Sequence, residues 1–202
     1  MLGRMMRRKR ILLAAAPLLA CALLFGARAA GVKAVGAQTP EEGFKPTTVI
    51  LIRHAEKGTD PPADPPLSEA GRARAKELAR VLAGVGVKGI YTSQFLRATQ
   101  TAEPLAAQLG LKATPLNVSV KPSSPTEVTE QSVQDIVKRV EQHAGEAVLV
   151  IGHSNSVPDV IRALGGDSVP TIDEKKFDDM FVVTVYARGR ARVVHLKYGS
   201  PN

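Results

Sequence analysis

The sequence predicts an α/β fold in which a mostly parallel sheet has helices on both faces and ends in an antiparallel hairpin. Three observations predict it. Two continuous apolar runs, 47–53 and 147–152, have the composition of strands buried on both faces. Segments with helical periodicity alternate with the strands, which is typical of a parallel sheet. Finally, the segments Met180–Ala187 and Arg190–Tyr198 flank Arg188-Gly189, a pattern that favours a hairpin.

Residues 1–37 are set apart from this fold as a leader. Residues 1–10 are basic, residues 11–26 form an apolar run, and small residues follow, which is the pattern of a secretory signal peptide. The run is short for a membrane-spanning helix, which needs about 20 apolar residues. An uncleaved anchor through residues 11–26 is the alternative. We therefore expect an exported protein, periplasmic or extracellular, that contacts a membrane only if the leader is retained.

The positive charge of the chain is concentrated in that leader. Seven of the 27 Lys and Arg residues lie in 1–37, which has no Asp or Glu, so the rest of the chain has a formal charge of +1 against +8 in total. With no Trp and few other aromatic residues, this body is not expected to bind nucleic acid. The single cysteine, Cys21, also lies in the leader, which leaves no disulfide and no thiolate metal site in the body.

The first half of the body contains a loop and a helix after the first strand. Residues 38–46 are predicted to be a linker before a domain at 47–202, and the four prolines of Gly58–Pro66 predict a loop. Ser68 is expected to cap the helix that follows. The apolar stripe of that helix is Ala75, Leu78, Ala79 and Leu82, and its predicted solvated face is Arg72, Arg74, Lys76 and Arg80.

The middle of the chain continues the alternation. Val87–Thr92 is predicted to be a strand, and a helix is predicted from about Gln94 to Leu109, ended by Gly110. Pro104 should kink this helix or restart it.

Further along, Ala113–Val120 is predicted to be a strand, Pro122–Pro125 a loop, and Ser156–Leu164 a short helix. A helix closed by Gly145 is predicted before the second apolar run, from the apolar positions Val133, Ile136, Val137, Val140 and Ala144.

Polar side chains follow three of the predicted strands at their carboxyl ends. They are Arg53 and His54, then Arg97, then His153. Ligands of open α/β sheets bind at these ends, so neighbouring strands would bring the four side chains into one crevice. Guanidinium groups match phosphate oxygens, and nearby cations keep an imidazole neutral and nucleophilic. Each residue alone has an ordinary structural interpretation, and only their joint placement predicts a phosphoryl site.

Four segments that carry these residues resemble the histidine phosphatase (phosphoglycerate-mutase-like) superfamily, in family order, and the chain looks like a small exported member with an Arg-His-Ala-Glu-Lys motif. The resemblance implies a three-layer α/β/α sandwich, phosphorylation of His54, a phosphate pocket completed by Arg53, Arg97 and His153, and neither a metal nor an organic cofactor. The segments are Arg53-His54-Ala55-Glu56, Leu67-Ser68-Glu69-Ala70-Gly71, residues 91–102, and Gly152-His153-Ser154-Asn155.

Three departures from the family's pattern bear on function. Ala55 stands where glycine is common, and Val118 stands where many members have a general-acid Glu. Glu127 and Glu130 are the nearest substitutes, although acids near a helix start also have a structural explanation. Without an acid, only substrates with good leaving groups would turn over well. The long insertions of the mutases are also missing, which favours hydrolysis.

Several neighbouring residues keep two interpretations. Glu56 either assists proton transfer or orients an arginine, and Lys57 either binds substrate anions or is an exposed loop lysine. Ser154 and Asn155 are expected to cap the next helix, and their backbone N–H groups are also placed to contact phosphate. Gly71, inside a helix, predicts close packing.

The sequence thus predicts a metal-independent phosphomonoesterase that acts through phospho-His54 on a phosphorylated small molecule or a phosphoprotein. One alternative is a weakly active or inactive module that binds phosphorylated ligands. A phosphoglycerate-type mutase is a weaker alternative. The identity of the substrate does not follow, because the leaving-group end lies on loops at 58–66, 118–129 and 166–178.

Overall fold

The apolar run Thr47–Arg53 forms the first strand, β1, of a computed structural model that describes residues 43–200. The predicted leader and residues 38–42 of the predicted linker lie outside the described residues. The further elements are α1 (Glu69–Leu82), β2 (Val87–Ser93), α2 (Leu96–Leu109), β3 (Thr114–Leu116), β4 (Val120–Lys121), β5 (Ser124–Val128), α3 (Glu130–Glu141), β6 (Ala147–Gly152), α4 (Ser156–Ala163), β7 (Asp179–Ala187) and β8 (Arg190–Lys197).

Among the described residues, six strands form one mixed sheet in the order β3-β2-β6-β1-β7-β8. The strands β3, β2, β6 and β1 are parallel, and β7 and β8 add an antiparallel hairpin beside β1. The predicted α/β fold is therefore confirmed. Arg53 of β1 is in register with Gly152 of β6, and Thr92 of β2 with Ile151, so the three central strands end at the same edge.

Two apolar cores lie on opposite faces of the sheet because side chains of a strand alternate between its faces. Ile50 and Ile52 pack in the core formed with α1 and α2, whereas Val49 and Leu51 pack in the core formed with α3 and α4. The three layers follow from this alternation. No helix within residues 43–200 is long and apolar enough to span a bilayer.

The predicted signals at two helix ends are confirmed. The Ser68 side chain caps α1 by accepting a hydrogen bond from the Gly71 N–H, and Gly110 ends α2 with φ 65°. The start of α2 is later than predicted, because the carboxylate of Asp64 in the preceding loop accepts a hydrogen bond from the Leu96 N–H. The helix runs through Pro104, so the predicted restart is wrong.

The region after α2 differs most from the prediction. Instead of one strand at 113–120, the short β3 joins the sheet, and β4 pairs with β5 in a separate hairpin that we call the flap, residues 118–128. The predicted loop at Pro122–Pro125 shrinks to the turn between β4 and β5. Most of the flap is exposed, so its strands lack the apolar alternation that predicts a strand.

The end of α3 also differs from the prediction. The helix ends at Glu141, and residues 142–145 form turns, the last of which is at Gly145 with φ 84°. The side chain of His143 holds these turns, because its ring nitrogens lie 2.7 Å from the Tyr91 hydroxyl and 2.6 Å from the Glu146 carboxylate.

One member of the predicted solvated face of α1 is buried. Arg74 is only 7% exposed. Its guanidinium donates hydrogen bonds to the Glu56 carboxylate and to the carbonyl oxygens of Tyr198 and Ser200. The prediction is wrong here because the partners of Arg74 lie outside its helix, in the segment after β1 and at residues 198–200, and local periodicity does not reveal them.

We predict that Gly71→Ala destabilises the protein by about 2 kcal/mol. A Cβ at Gly71 would lie far inside van der Waals contact of the Glu56 carbonyl oxygen, so overpacking outweighs the gain of about 1 kcal/mol in helix propensity. The measurement is the free energy of unfolding in urea. Gly84→Ala is the control, because a Cβ there meets nothing within 4 Å. Equal stability of the two variants would contradict the packing argument.

Candidate active site

The carboxyl ends of β1, β6 and β2 open into a cavity of about 450 Å³. It is lined by all four side chains that the sequence places at strand ends, and by three of the neighbouring residues predicted to contact substrate: Arg53, His54, Lys57, Arg97, His153, Ser154 and Asn155. The adjacency of the three strands therefore brings the predicted side chains together.

The two histidines of the cavity lie side by side. Their ring centroids are 5.2 Å apart, and the His54 side chain is almost completely buried. The Nδ1 atom of His54 lies 2.7 Å from the Ala55 carbonyl oxygen, and the Nε of Arg97 donates to its Nε2 at 3.2 Å. The carbonyl oxygen can only accept a hydrogen bond, so Nδ1 must carry a proton, and the Arg97 N–H donor requires a lone pair on Nε2. These contacts assign the tautomer whose Nε2 is unprotonated.

Burial and neighbouring cations keep both imidazoles neutral. Burial lowers the pKa of His54 to about 2, with His153, Arg53 and Arg97 adding to the effect. Burial likewise lowers the pKa of His153 to about 3, and Arg97, Arg53 and Lys57 contribute. A neutral imidazole at neutral pH is the form that acts as a nucleophile.

His153 is positioned by two serines. Its Nε2 lies 2.9 Å from the Ser93 hydroxyl at the end of β2, and its backbone N–H donates to the Ser156 hydroxyl at 2.8 Å. Gly152 allows the second contact, because a Cβ there would lie 2.6 Å from the same Ser156 oxygen. The tight turn from β6 into α4 thus needs glycine immediately before His153.

The two arginines of the cavity differ in their surroundings. Arg53 is 3% exposed and stacks on Phe177, with 4.2 Å from its Cζ to the ring centroid. Arg97 stacks on Phe95 at 4.3 Å, and its Nη1 lies 3.6 Å from the Asp64 carboxylate. Burial lowers the pKa of both guanidinium groups, although an arginine stays charged at neutral pH. The cavity therefore presents fixed positive charge next to a neutral nucleophile, an arrangement suited to a phosphoryl group.

Residues 49–118 match the family model of the histidine phosphatase superfamily (branch 1). Over this segment the chain is similar to the histidine phosphatase superfamily. The matched segment contains Arg53, His54 and Arg97 of the cavity. His153 comes directly after β6 and lies outside the matched residues, and the fold brings it to the same cavity.

Solved structures have folds similar to that of this chain. One is the protein histidine phosphatase SixA complexed with tungstate, at 22% identity and TM-score 0.58 over 74% of this chain and 96% of that one. Another is YhfR of Bacillus stearothermophilus, which has 21% identity and a TM-score of 0.59 over 73% of this chain and 95% of that one. A third is phosphoglycerate mutase of Bacillus anthracis, which has 19% identity and a TM-score of 0.59 over 76% of this chain and 93% of that one. At these identities the likeness concerns the fold alone.

Three acidic candidates from the sequence do not line the cavity. The Glu56 carboxylate lies 2.8 Å from Nη2 of Arg74, which supports its interpretation as a residue that holds an arginine. Glu127 pairs with Lys121 at 2.7 Å on the exposed flap, and Glu130 is the first residue of α3. The structure therefore does not place the predicted substitutes for a general acid next to His54.

Ser154 and Asn155 lie at the cavity, but neither side chain caps α4. The Ser154 hydroxyl donates to the Glu174 carboxylate, and the Asn155 amide donates to the Thr126 carbonyl oxygen of the flap at 2.8 Å. The predicted cap is wrong because Ser156 makes the contact that closes the turn. Lys57 is exposed at the cavity mouth.

Three residues of the site were not predicted: Asp64, Ser93 and Glu174. Asp64 and Glu174 lie in loops whose course cannot be derived from local sequence, although both loops were expected at the leaving-group end. Ser93 had a usable signal, because it ends a strand that the sequence places beside the site. Among residues 43–200, no group of three or more His, Cys, Asp or Glu side chains is arranged to hold a metal ion.

We predict that the stability of the protein falls steeply below about pH 6.5. Between that value and pH 3, the unfolded chain binds protons at His54 and His153 that the folded chain does not. The free energy of unfolding should therefore decrease by up to about 1.4 kcal/mol per pH unit for each histidine. Urea unfolding from pH 7 to 4 measures the slope. The double variant His54→Asn, His153→Asn should have a shallower slope, and equal slopes would refute the assignment.

We also predict that Glu56→Gln destabilises the protein by about 1–3 kcal/mol, because buried Arg74 loses a charge-assisted hydrogen bond. The KM and kcat for an aryl phosphate should not change. Glu77→Gln is the matched control on α1, since it removes only the partner of exposed Arg80 and should leave stability unchanged. Normal stability of Glu56→Gln together with lost turnover would instead indicate a role in proton transfer.

Proposed function

We propose that the protein is a metal-independent phosphomonoesterase that hydrolyses phosphate esters through a phosphohistidine on His54. One observation carries the proposal: the unprotonated Nε2 of a buried, neutral His54 accepts a hydrogen bond from Arg97, in a cavity that Arg53 and His153 also line. Side chains that bind a phosphoryl group thus surround a nitrogen that can attack it.

The chemistry proceeds in two displacements. His54 Nε2 attacks phosphorus while the bond to the leaving oxygen breaks, and the electron pair departs with that oxygen. The ring gains positive charge as the P–N bond forms, and the Ala55 carbonyl stabilises it through the Nδ1 proton. Arg53 and Arg97 stabilise the charge on the non-bridging oxygens. Ser93 occupies Nε2 of His153, which leaves the other ring nitrogen for the substrate. Water then attacks phosphorus as the P–N bond breaks. The electron pair of that bond returns to Nε2, which restores neutral His54, and both protons of the water leave with the phosphate as H2PO4⁻.

The site favours substrates with good leaving groups. Among the described residues that line the cavity, Glu174 is the one with a carboxylate, and it is ion-paired with Arg53 at 2.6 Å. An ionised carboxylate in that contact is a poor proton donor. Aryl phosphates, whose phenolate leaving groups need little help from an acid, are therefore preferred over simple alkyl phosphates, as are phosphoramidates whose nitrogen is already protonated.

The flap supports hydrolysis rather than phosphoryl relocation. It contributes one short hairpin to the lining of a cavity that is open to solvent, whereas relocation requires an enclosed intermediate. A phosphorylated small molecule or an exposed phosphorylated side chain of a protein would fit this open site. A similar fold occurs in the protein histidine phosphatase SixA. The leader pattern adds export as part of the proposal, with membrane contact only if the leader is kept.

A second candidate function is a module that binds phosphorylated ligands without turnover. The observation that favours it is that Glu127 and Glu130 do not line the cavity, so that among residues 43–200 the one carboxylate in its lining is that of Glu174, which is ion-paired with Arg53.

Phosphate release from p-nitrophenyl phosphate, with and without EDTA, tests the proposal. We predict that EDTA leaves the rate unchanged and that His54→Ala lowers kcat at least 1,000-fold while the protein stays folded, because the nucleophile is removed. His195→Ala is the control: it removes an exposed histidine of β8 and should retain activity. Acid quenching should trap a phosphoenzyme in the wild type and not in His54→Ala.

Two results would overturn the proposed activity. Wild-type turnover by folded His54→Ala would exclude His54 as the nucleophile. Binding of inorganic phosphate in calorimetry, without phosphate release from aryl phosphates or phosphoramidates, would identify the protein as a binding module.

A further inference from the structure

The loop that precedes β7 places a carboxylate on an arginine of the phosphate pocket. Glu174 accepts a hydrogen bond from Arg53 Nη2 at 2.6 Å, and its other oxygen accepts one from the Ser154 hydroxyl. Both donors line the same cavity as His54 and His153. A phosphoryl group bound by Arg53 would need the donors that Glu174 now uses.

The other nitrogen atoms of the Arg53 guanidinium cannot replace Nη2 as donors to a phosphoryl group. Its Nη1 donates to the carbonyl oxygens of Asp173 and Lys176 at 3.0 and 3.3 Å. Its Nε is buried and has no partner among the described residues. Nη2 is therefore the end of the guanidinium that is available to an anion in the cavity, and Glu174 occupies it.

Mobility and burial decide which partner gives way. The Arg53 side chain is 3% exposed and fixed by the backbone carbonyls and by Phe177, whereas the Glu174 side chain is 74% exposed. An exposed carboxylate recovers its hydration when it swings out, and a buried guanidinium does not. A phosphoryl group can displace Glu174, and Glu174 can return when the phosphoryl group leaves.

The loop does not depend on the Glu174 carboxylate. The bonds from Arg53 Nη1 hold its backbone, the Ile172 N–H donates to the Ser154 carbonyl oxygen, and the Lys175 N–H donates to the Asp173 carboxylate. Replacing the carboxylate by an amide should therefore leave the loop in place.

We propose that Glu174 is an internal counter-ion that competes with the phosphoryl group for Arg53 and Ser154, and so limits the affinity of the site for inorganic phosphate, the product. The proposal rests on the phosphate site of the proposed function. In a pocket with two guanidinium groups and Lys57, strong product binding would slow turnover. Glu174 replaces the departing phosphate and speeds its release.

Calorimetric titration of the full-length protein with inorganic phosphate at pH 8 tests this without any need for turnover. Glu174→Gln and Glu174→Ala should each bind phosphate about tenfold more tightly than the wild type, and phosphate should become a correspondingly stronger inhibitor of aryl phosphate hydrolysis. Asp167→Asn is the matched control: it removes one exposed carboxylate from the same loop and should change the affinity less than twofold. Urea unfolding verifies that each variant is folded.

Each outcome decides a separate question. Unchanged or weaker phosphate binding by folded Glu174→Gln would overturn the counter-ion role, and weaker binding would show that Glu174 positions Arg53 for phosphate. Tighter binding with no turnover of any phosphate ester would support the counter-ion role and overturn only the proposed hydrolysis. If no protein, wild type included, bound phosphate at millimolar concentration, both proposals would fail.

Discussion

The site depends on three parallel strands that end at the same level. Because β2, β6 and β1 are neighbours in register, the residues that follow them lie close together at one edge of the sheet. The helix α2 starts from that edge and carries Arg97, and the turn from β6 into α4 carries His153. Apolar packing on both faces of the sheet fixes the strand ends, and the fixed backbone in turn positions the histidines and arginines that follow them.

Charge is balanced at the site by loops rather than by the sheet. Each guanidinium of the cavity lies near a loop carboxylate, Arg53 near Glu174 and Arg97 near Asp64. A buried cation without such a partner would be costly. The consequence is that the binding of an anion is an exchange of partners. The neutral histidines add no positive charge, which limits the repulsion that the two arginines would otherwise meet.

The sequence was sufficient to predict those elements whose burial requires a continuous run of apolar residues. The strands β1 and β6 match their apolar runs residue for residue, and the strand ends then located Arg53, His54, Arg97 and His153. It failed where a contact joins distant segments: Asp64 shortens α2, Arg74 finds carbonyl partners near residue 200, and Glu174 reaches Arg53 from more than a hundred residues away. The flap was missed because exposed strands have no apolar face to mark them.

The flap is joined to the site through side chains. The Gln94 amide bonds both the N–H and the C=O of Val118, as a neighbouring strand would, and Asn155 holds Thr126. Neither attachment belongs to the ladder of the main sheet. The exposed part of this cavity wall is therefore an interchangeable module. Apart from Val118 and Val128, which pack in the core formed with α3 and α4, its side chains can be exchanged, in evolution or in the laboratory, while the strands of the main sheet keep their register.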